Sequence, residues 1–362
     1  MGALMRTTTI PAKDPLSVYR SITAPKKRIL VLMAPVLLIS VFVSLSSGSM
    51  EMTYSALFSA IMEKILPGTF DAEAFHSITV WEIRLPGIAL GVLVGTALGI
   101  SGAGMQAILN NPLASPYTLG ISSAAGFGAA LAILLGAGAS GQWGAFMIAA
   151  SAFFFSCVAF AAIYFISRLK GAAASTMLFA GIALMYLFSA LLSLIQYFAP
   201  EEVLQQIVFW MFGSLAGASW SRVLVVFMLV IGAGVFLSRD AWKLTSLRFG
   251  EDASRGMGID TEKVRNKAMI CTSLLTAAAV CFTGVIGFIG LVAPHIARLL
   301  LGEDIRFLIS GSAIIGAILL VTAHTLANSV FAPYVLPVGI VTSSIGAPFF
   351  IYLIIKKRGD FL

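Results

Sequence analysis

Few residues in this sequence are of types that do covalent or metal chemistry, and their spacing does not assemble them. The histidines are His76, His295 and His324, far apart along the chain. The cysteines, Cys157, Cys271 and Cys281, each fall inside an apolar run, where a thiol packs as a small hydrophobe. No CxxC, HExxH or Ser-His-Asp order is present. His295 beside Pro294 has no sequence neighbour able to share a metal, so it reads as a packing or hydrogen-bonding residue. The phosphate-cradling pattern GxxxxGK[ST] is missing, so the chain is not expected to bind ATP in such a loop. These patterns predict no catalytic residue, no metal site and no cofactor of its own.

The surrounding elements say more. Of 362 residues, 59% are hydrophobic and only 11% charged, against about a quarter charged in soluble domains. Apolar runs of about 20 residues recur, each long enough to cross a hydrocarbon core about 30 Å thick. They predict an all-α membrane protein of about ten transmembrane helices, near 29–47, 83–108, 119–137, 143–167, 174–196, 221–238, 268–286, 288–301, 307–325 and 338–355. The predicted organisation is an N-terminal segment 1–28, a membrane domain 29–355 with a long loop at 239–267, and a tail 356–362. The net charge of +7 comes from cations scattered between apolar runs, which suits membrane topology rather than nucleic acid. With the N-terminus placed in the cytoplasm, all but Lys64, Arg84 and Arg222 of the 23 Lys and Arg residues fall on the inner side. Both termini are therefore expected to be cytoplasmic. The expected outer side carries Glu51, Glu63, Asp71, Glu73, Glu82, Glu201 and Glu202, and a short amphipathic stretch from Tyr54 to Ile65. Trp81, Trp210 and Trp220 fall at an expected interfacial belt.

No Asp or Glu falls in the middle of a predicted span, where a proton- or sodium-coupled carrier commonly keeps one. This favours a path worked by force from another chain, such as a cytoplasmic ATPase. Gly95, Gly99, Gly102 and Gly104 allow close helix packing, and 99–104 also allows local unwinding. Ser101-Gly102 precedes Pro112 at the spacing with which Thr283-Gly284 precedes Pro294, on runs of opposite direction, which suits an inverted repeat. Met177, Gly181, Met185 and Ser189 recur every four residues on one helix face, a candidate greasy wall for cargo as well as an ordinary packing face. Gly250 and Gly256/Gly258 bracket a short charged stretch that suits a docking surface.

Several motifs carry a family resemblance. Arg84-Leu85-Pro86, Gly102-Ala103-Gly104-Met105-Gln106, Asn111-Pro112-Leu113-Ala114-Ser115-Pro116 and Leu119-Gly120-Ile121-Ser122 are followed by 287–298, GFIGLVAPHIAR, and by 336–342, LPVGIVT. In this order they resemble the FecCD family, the permease subunits of type II ABC importers. The resemblance runs from Arg84 to Lys357 and implies a fold of ten spans with inverted repeats. It also implies a homodimer with a central pathway, two ATP-binding subunits carrying ATP and Mg on the cytoplasmic side, and an extracytoplasmic binding protein. Cargo would be an iron–siderophore or similar chelate, with haem, cobalamin or molybdate as alternatives. Within the 250–258 stretch, Gly250, Glu251, Asp252, Arg255 and Gly258 match the region that couples to the ATPase. Arg84 holds a place the family uses to dock the binding protein, and Arg222 is a second outer cation. Gly87 stands where the family often has another basic residue, and Ala323-His324-Thr325-Leu326-Ala327-Asn328 stands for its usual Asp and Arg pattern. An ion-coupled carrier and a membrane-embedded enzyme are the rival readings.

Overall fold

A computed structural model describes residues 14–48, 50, 52–70, 73–139, 141–169 and 173–356. The fold follows from where apolar runs begin and end. Helix α1 (Pro15–Ser46) is followed by α2 (Tyr54–Ile65) and α3 (Ala74–Ile78), and a π-helical turn, Thr79–Arg84, leads from α3 into α4 (Leu85–Leu109). Next come α5 (Ile121–Leu134), α6 (Gly141–Arg168), α7 (Ala174–Phe198), α8 (Glu201–Met211) and α9 (Trp220–Arg239). The chain continues through α10 (Ala241–Ser246), α11 (Glu251–Gly256), α12 (Thr261–Thr283), α13 (Ile289–Leu301), α14 (Ile305–Ser329) and α15 (Val338–Lys356). Among the described residues, seven helices are long and apolar enough to cross a membrane, and α5, α13 and α15 are shorter apolar helices. Ten apolar helices therefore stand where ten spans were expected. The first is longer than expected, since α1 is already helical at Pro15.

Cations gather at one end of the bundle. There Lys26 lies over the Phe307 ring, Arg306 reaches Tyr19, and Arg248 pairs with Glu303. We call this the basic end. Helix direction alternates from it through all ten apolar helices. At the opposite end α2 forms as the amphipathic pattern predicts, capped by Thr53, and the Trp81 indole donates to Ala60 O at 3.0 Å. The Trp220 indole donates to Trp81 O at 2.9 Å, so two of the three expected belt tryptophans brace one another.

Helix α4 is the axis of the fold, packed by α14, α12, α13 and α9 and buried along nearly its whole length. Absent side chains bring these helices together. A Cβ on Gly95 would lie 2.3 Å from Gly316 O, on Gly99 2.0 Å from Ser312 O, and on Gly102 1.8 Å from Gly290 O. In lipid, where no hydrophobic force drives helices together, such close backbone contact and interhelical hydrogen bonds hold a bundle. The Ser101 hydroxyl supplies one of the latter, donating to Thr272 O of α12 at 2.8 Å. Residues 99–104 therefore form continuous helix, contrary to the unwinding their glycines allow. Unwinding there would strip backbone groups of partners where no water replaces them.

Two breaks have the same form. Buried α4 ends at Leu109, turns through residues 110–120 and restarts as the 14-residue α5; α12 ends at Thr283, turns through 284–288 and restarts as the 13-residue α13. The two units run in opposite directions, as an inverted repeat requires. The motif spacing that suggested it is out of register, however. Gly102 lies inside α4 whereas Gly284 caps α12, and Pro112 lies in a turn whereas Pro294 lies within α13.

Candidate translocation site

The two breaks meet. A Cβ on Gly290, at the start of α13, would lie 3.0 Å from the Pro116 ring and 3.2 Å from Leu98 O. Leu98 and Gly102 precede the end of α4 by 11 and 7 residues. At 1.5 Å per residue the meeting point is therefore about 10–17 Å in from that end. Between the two turns is a cavity of about 660 Å³. Leu113, Ser115, Tyr117 and Thr118 of the first turn line it, with Val285, Gly287 and Phe288 of the second. Met211 and Phe212 at the end of α8, and Gly339, Ile340, Ser343 and Ser344 of α15, complete the wall.

Local chemistry fixes both turns. Asn110 is left-handed at φ 46°, a conformation asparagine tolerates, and Asn111 Oδ1 accepts from Leu113 N at 2.9 Å. Ser115 and Thr118 bond reciprocally, Ser115 N to Thr118 Oγ1 at 3.0 Å and Thr118 N to Ser115 Oγ at 3.3 Å. On the other side Gly284 is at φ 71°, with the space of its missing Cβ filled by Trp210 O. Ser214 N donates to Thr283 O at 2.7 Å, so the segment after α8 is tied to the second break. The resulting cavity has hydroxyls but no charged side chain among its lining residues. Such a wall offers passing contacts rather than a strong binding constellation.

Half of the lining residues come from the motif blocks: Leu113 and Ser115 from 111–116, Gly287, Phe288 and Leu291 from 287–298, and Gly339 and Ile340 from 336–342. The sequence pattern of the FecCD transport family matches residues 36–356, the greater part of the chain. The chain belongs to the FecCD transport family. The hemin transport system permease protein of Yersinia pestis is 37% identical over 77% of this chain and 84% of its own length. The vitamin B12 import system permease protein of Citrobacter koseri is 37% identical over 81% and 88%. A solved ABC transporter described as of metal-chelate type, in an inward-facing conformation, superposes with a TM-score of 0.79 at 27% identity. That comparison covers 91% of this chain and 99% of the solved one.

In this FecCD chain the four residues expected on a pathway wall are not among those lining this cavity. Met177 is fully buried in the core, and the missing Cβ of Gly181 faces Leu119. Gly120, at φ 72°, fits against Gly181 O and Met185 N. The face Met177–Gly181–Met185 is thus packed on the end of the first turn, and neither these residues nor Ser189 line the cavity. Periodicity marked a face that is buried at Met177 and Gly181 and half-buried at Met185 and Ser189; the cavity is made instead by the two turns with the end of α8 and α15.

Arg84 also differs from its expected docking role. It is 9% exposed and donates from Nη1 to Leu45 O at 2.8 Å and from Nη2 to Met50 O at 2.6 Å. Its guanidinium ties the end of α1 to the start of α4 and is not presented to a partner. Arg222 is half-buried and donates to Gly217 O at 2.6 Å.

At the basic end, α11 occupies the bracket that Gly250 and Gly256/Gly258 predicted. Gly250 and Gly258 are at φ 98° and 78° with open space around them, so their role is backbone conformation. Glu251 is committed within the chain, accepting from the buried Arg265 of α12 at 2.8 Å and lying 3.7 Å from Arg255. It braces α11 on α12 while staying half-exposed at the bracket. Asp252 and Arg255 are exposed, and flanking them Phe249 and Met257 are 72% and 53% exposed. Ser254 is buried beneath, donating to Ser246 O at 2.8 Å. Nearby, the Lys267 ammonium, joined by Lys243, holds the Asp240 carboxyl below the ordinary carboxylate range.

Proposed function

We propose that this chain is the membrane-spanning permease subunit of an ATP-binding cassette importer for a bulky metal chelate, of the iron–siderophore kind. The uncharged cavity between two broken segments carries the reading. A passage that binds cargo weakly leaves selection to a binding protein and work to an ATPase. The sequence lacks the phosphate-cradling loop, and α11 with the flanking Phe249 and Met257 offers exposed charged and apolar side chains at the basic end, where an ATPase would dock. Two copies of the chain would enclose the passage, each facing the other with its cavity. The basic end would be cytoplasmic, with both termini there, in the cell's inner membrane. Cargo class rests on family membership and on relatives named for hemin and for a metal chelate.

The test is uptake into proteoliposomes holding the permease with its ATP-binding subunits. Ferric chelate should enter only with ATP inside and the binding protein outside. Uptake by this chain alone, driven by a proton or sodium gradient, would overturn the reading in favour of a secondary carrier.

A further inference from the structure

The stretch between α9 and α12 is tied to α12 by the Asp240–Lys267 pair, and two further ties fasten it to the bundle. One is the Glu251–Arg265 pair with α12 described above. The other is the turn between α13 and α14. Arg248 Nη1 donates to Glu303 O at 3.1 Å and pairs with the Glu303 carboxylate, while Ile305 N donates to Thr245 Oγ1 at 3.2 Å. Glu303 Oε2 also accepts from Arg298 Nε of α13 at 3.1 Å. Arg298 Nη2 then donates to Gln106 Oε1 of α4 at 2.7 Å. One continuous chain of charge-assisted hydrogen bonds thus runs from the partner-facing stretch, through the α13–α14 turn, to the end of the central helix. Such bonds are shorter and stronger than neutral ones and hold direction as well as distance.

The chain ends at a place fit for movement. Gln106 is 3% exposed, and its Nε2 has no hydrogen-bond partner among the described residues. A buried donor left unmet costs free energy that another arrangement can recover. Beside it is a polar cavity of about 160 Å³ lined by Asn110, Asn111, Pro112, Arg248, Arg298 and Glu303, among others. The turn 110–118 is therefore the wall between this polar cavity and the large apolar one. Asn111 N donates to Gln106 O at 3.2 Å, so a shift of Gln106 carries the turn with it.

We infer that Arg298 is a positioning residue for transport: it transmits displacement of residues 241–256, through Glu303, to Gln106 and the turn that walls the cavity. This rests on the importer reading above. Arg298 touches no cargo. It fixes the end of α4 to whatever moves Arg248, and loss of either of its bonds lets the ATPase cycle while the turn stays still.

The experiment uses the full complex, permease with ATP-binding subunits and binding protein, in proteoliposomes, and reads cargo transported per ATP hydrolysed. A wild-type complex without ATP-driven uptake would refute the importer reading itself, whatever the variants do. Given wild-type uptake, Arg298→Gln should lower the ratio at least tenfold with hydrolysis within about twofold of wild type. Arg248→Gln should lower it in the same way. The double variant should be no worse than the poorer single one, because both cut one chain. Arg298→Lys, which keeps the charge and one bond, should recover part of the ratio. Should Arg298→Gln fail to assemble, Glu303→Gln tests the same link from the other side. Parallel loss of transport and hydrolysis in the assembled variants would overturn the assignment, as would multiplying effects in the double variant.

Discussion

The helix seam around α4 and the exposed stretch around α11 use the same residue for opposite purposes. In the seam, Gly95, Gly99 and Gly102 have helical backbones any residue could adopt, and what matters is the space a side chain would fill. Around α11, Gly250 and Gly258 have open space and left-handed backbones, and Gly256 has open space within the helix. One region is closed by what its glycines lack; the other is shaped by what their backbones allow and is left bare. The difference teaches that a glycine-rich membrane chain need not be a flexible one. Close backbone contact concentrates where glycines face another backbone, and the exposed charged stretch of α11 lies between glycines that face nothing.

The largest effect should come from filling the seam. Gly102→Val places a branched side chain on a carbonyl that its Cβ would already meet at 1.8 Å. Two backbones must separate, at a cost of about 3 kcal/mol or more, and thermal unfolding in detergent should show loss of folded protein. A stable Gly102→Val chain would break the comparison.

Stripping the exposed stretch should spare the fold and remove the partner. Phe249→Ala with Met257→Ala should weaken binding of the ATP-binding subunit at least tenfold, with a melting temperature within a few degrees of wild type. Unchanged affinity would move the docking surface elsewhere.

Acid sensitivity should divide the same way. Lys267 and Lys243 lower the Asp240 carboxyl in the folded chain, so the stability it contributes is present above its unfolded value of about 3.9 and lost as pH falls through the lowered folded value. Asp240→Asn should flatten the fall in stability below pH about 4; an unchanged pH profile would remove the pair from the account. The smallest effect is expected at Gly256→Ala, in open space within α11, which should leave folding unchanged or stabilise it by under about 1 kcal/mol.

Much of this was legible in residue order because a helix in lipid bonds its own backbone and presents apolar side chains, so it reads as an apolar run whether long or short. Ten such runs, the amphipathic α2 and the glycine bracket around α11 all followed from local pattern. Helix α8 did not, since Glu201–Met211 mixes acidic, amide and apolar residues within one short segment. The cavity did not either, because it is made by two turns and two helix ends remote in sequence, and local periodicity pointed instead to the packed face of Met177 and Gly181. Charge was misleading in isolation. Arg84 looks like a free contact group by type and position, yet it is buried and held by Leu45 and Met50, and half-exposed Glu251 is also paired with Arg265, partners that only the folded chain supplies.

In the proposed importer, cargo passes the cavity between the two breaks, and Met177, buried in the core, is out of its reach. The most direct measurement places single cysteines in a chain whose Cys157, Cys271 and Cys281 are replaced, then follows labelling by an aqueous maleimide during ATP-driven turnover of the full complex. Ser343→Cys in the cavity should be modified, modification should block uptake, and Met177→Cys should stay unlabelled. Labelling at Met177→Cys with Ser343→Cys inert would contradict the account.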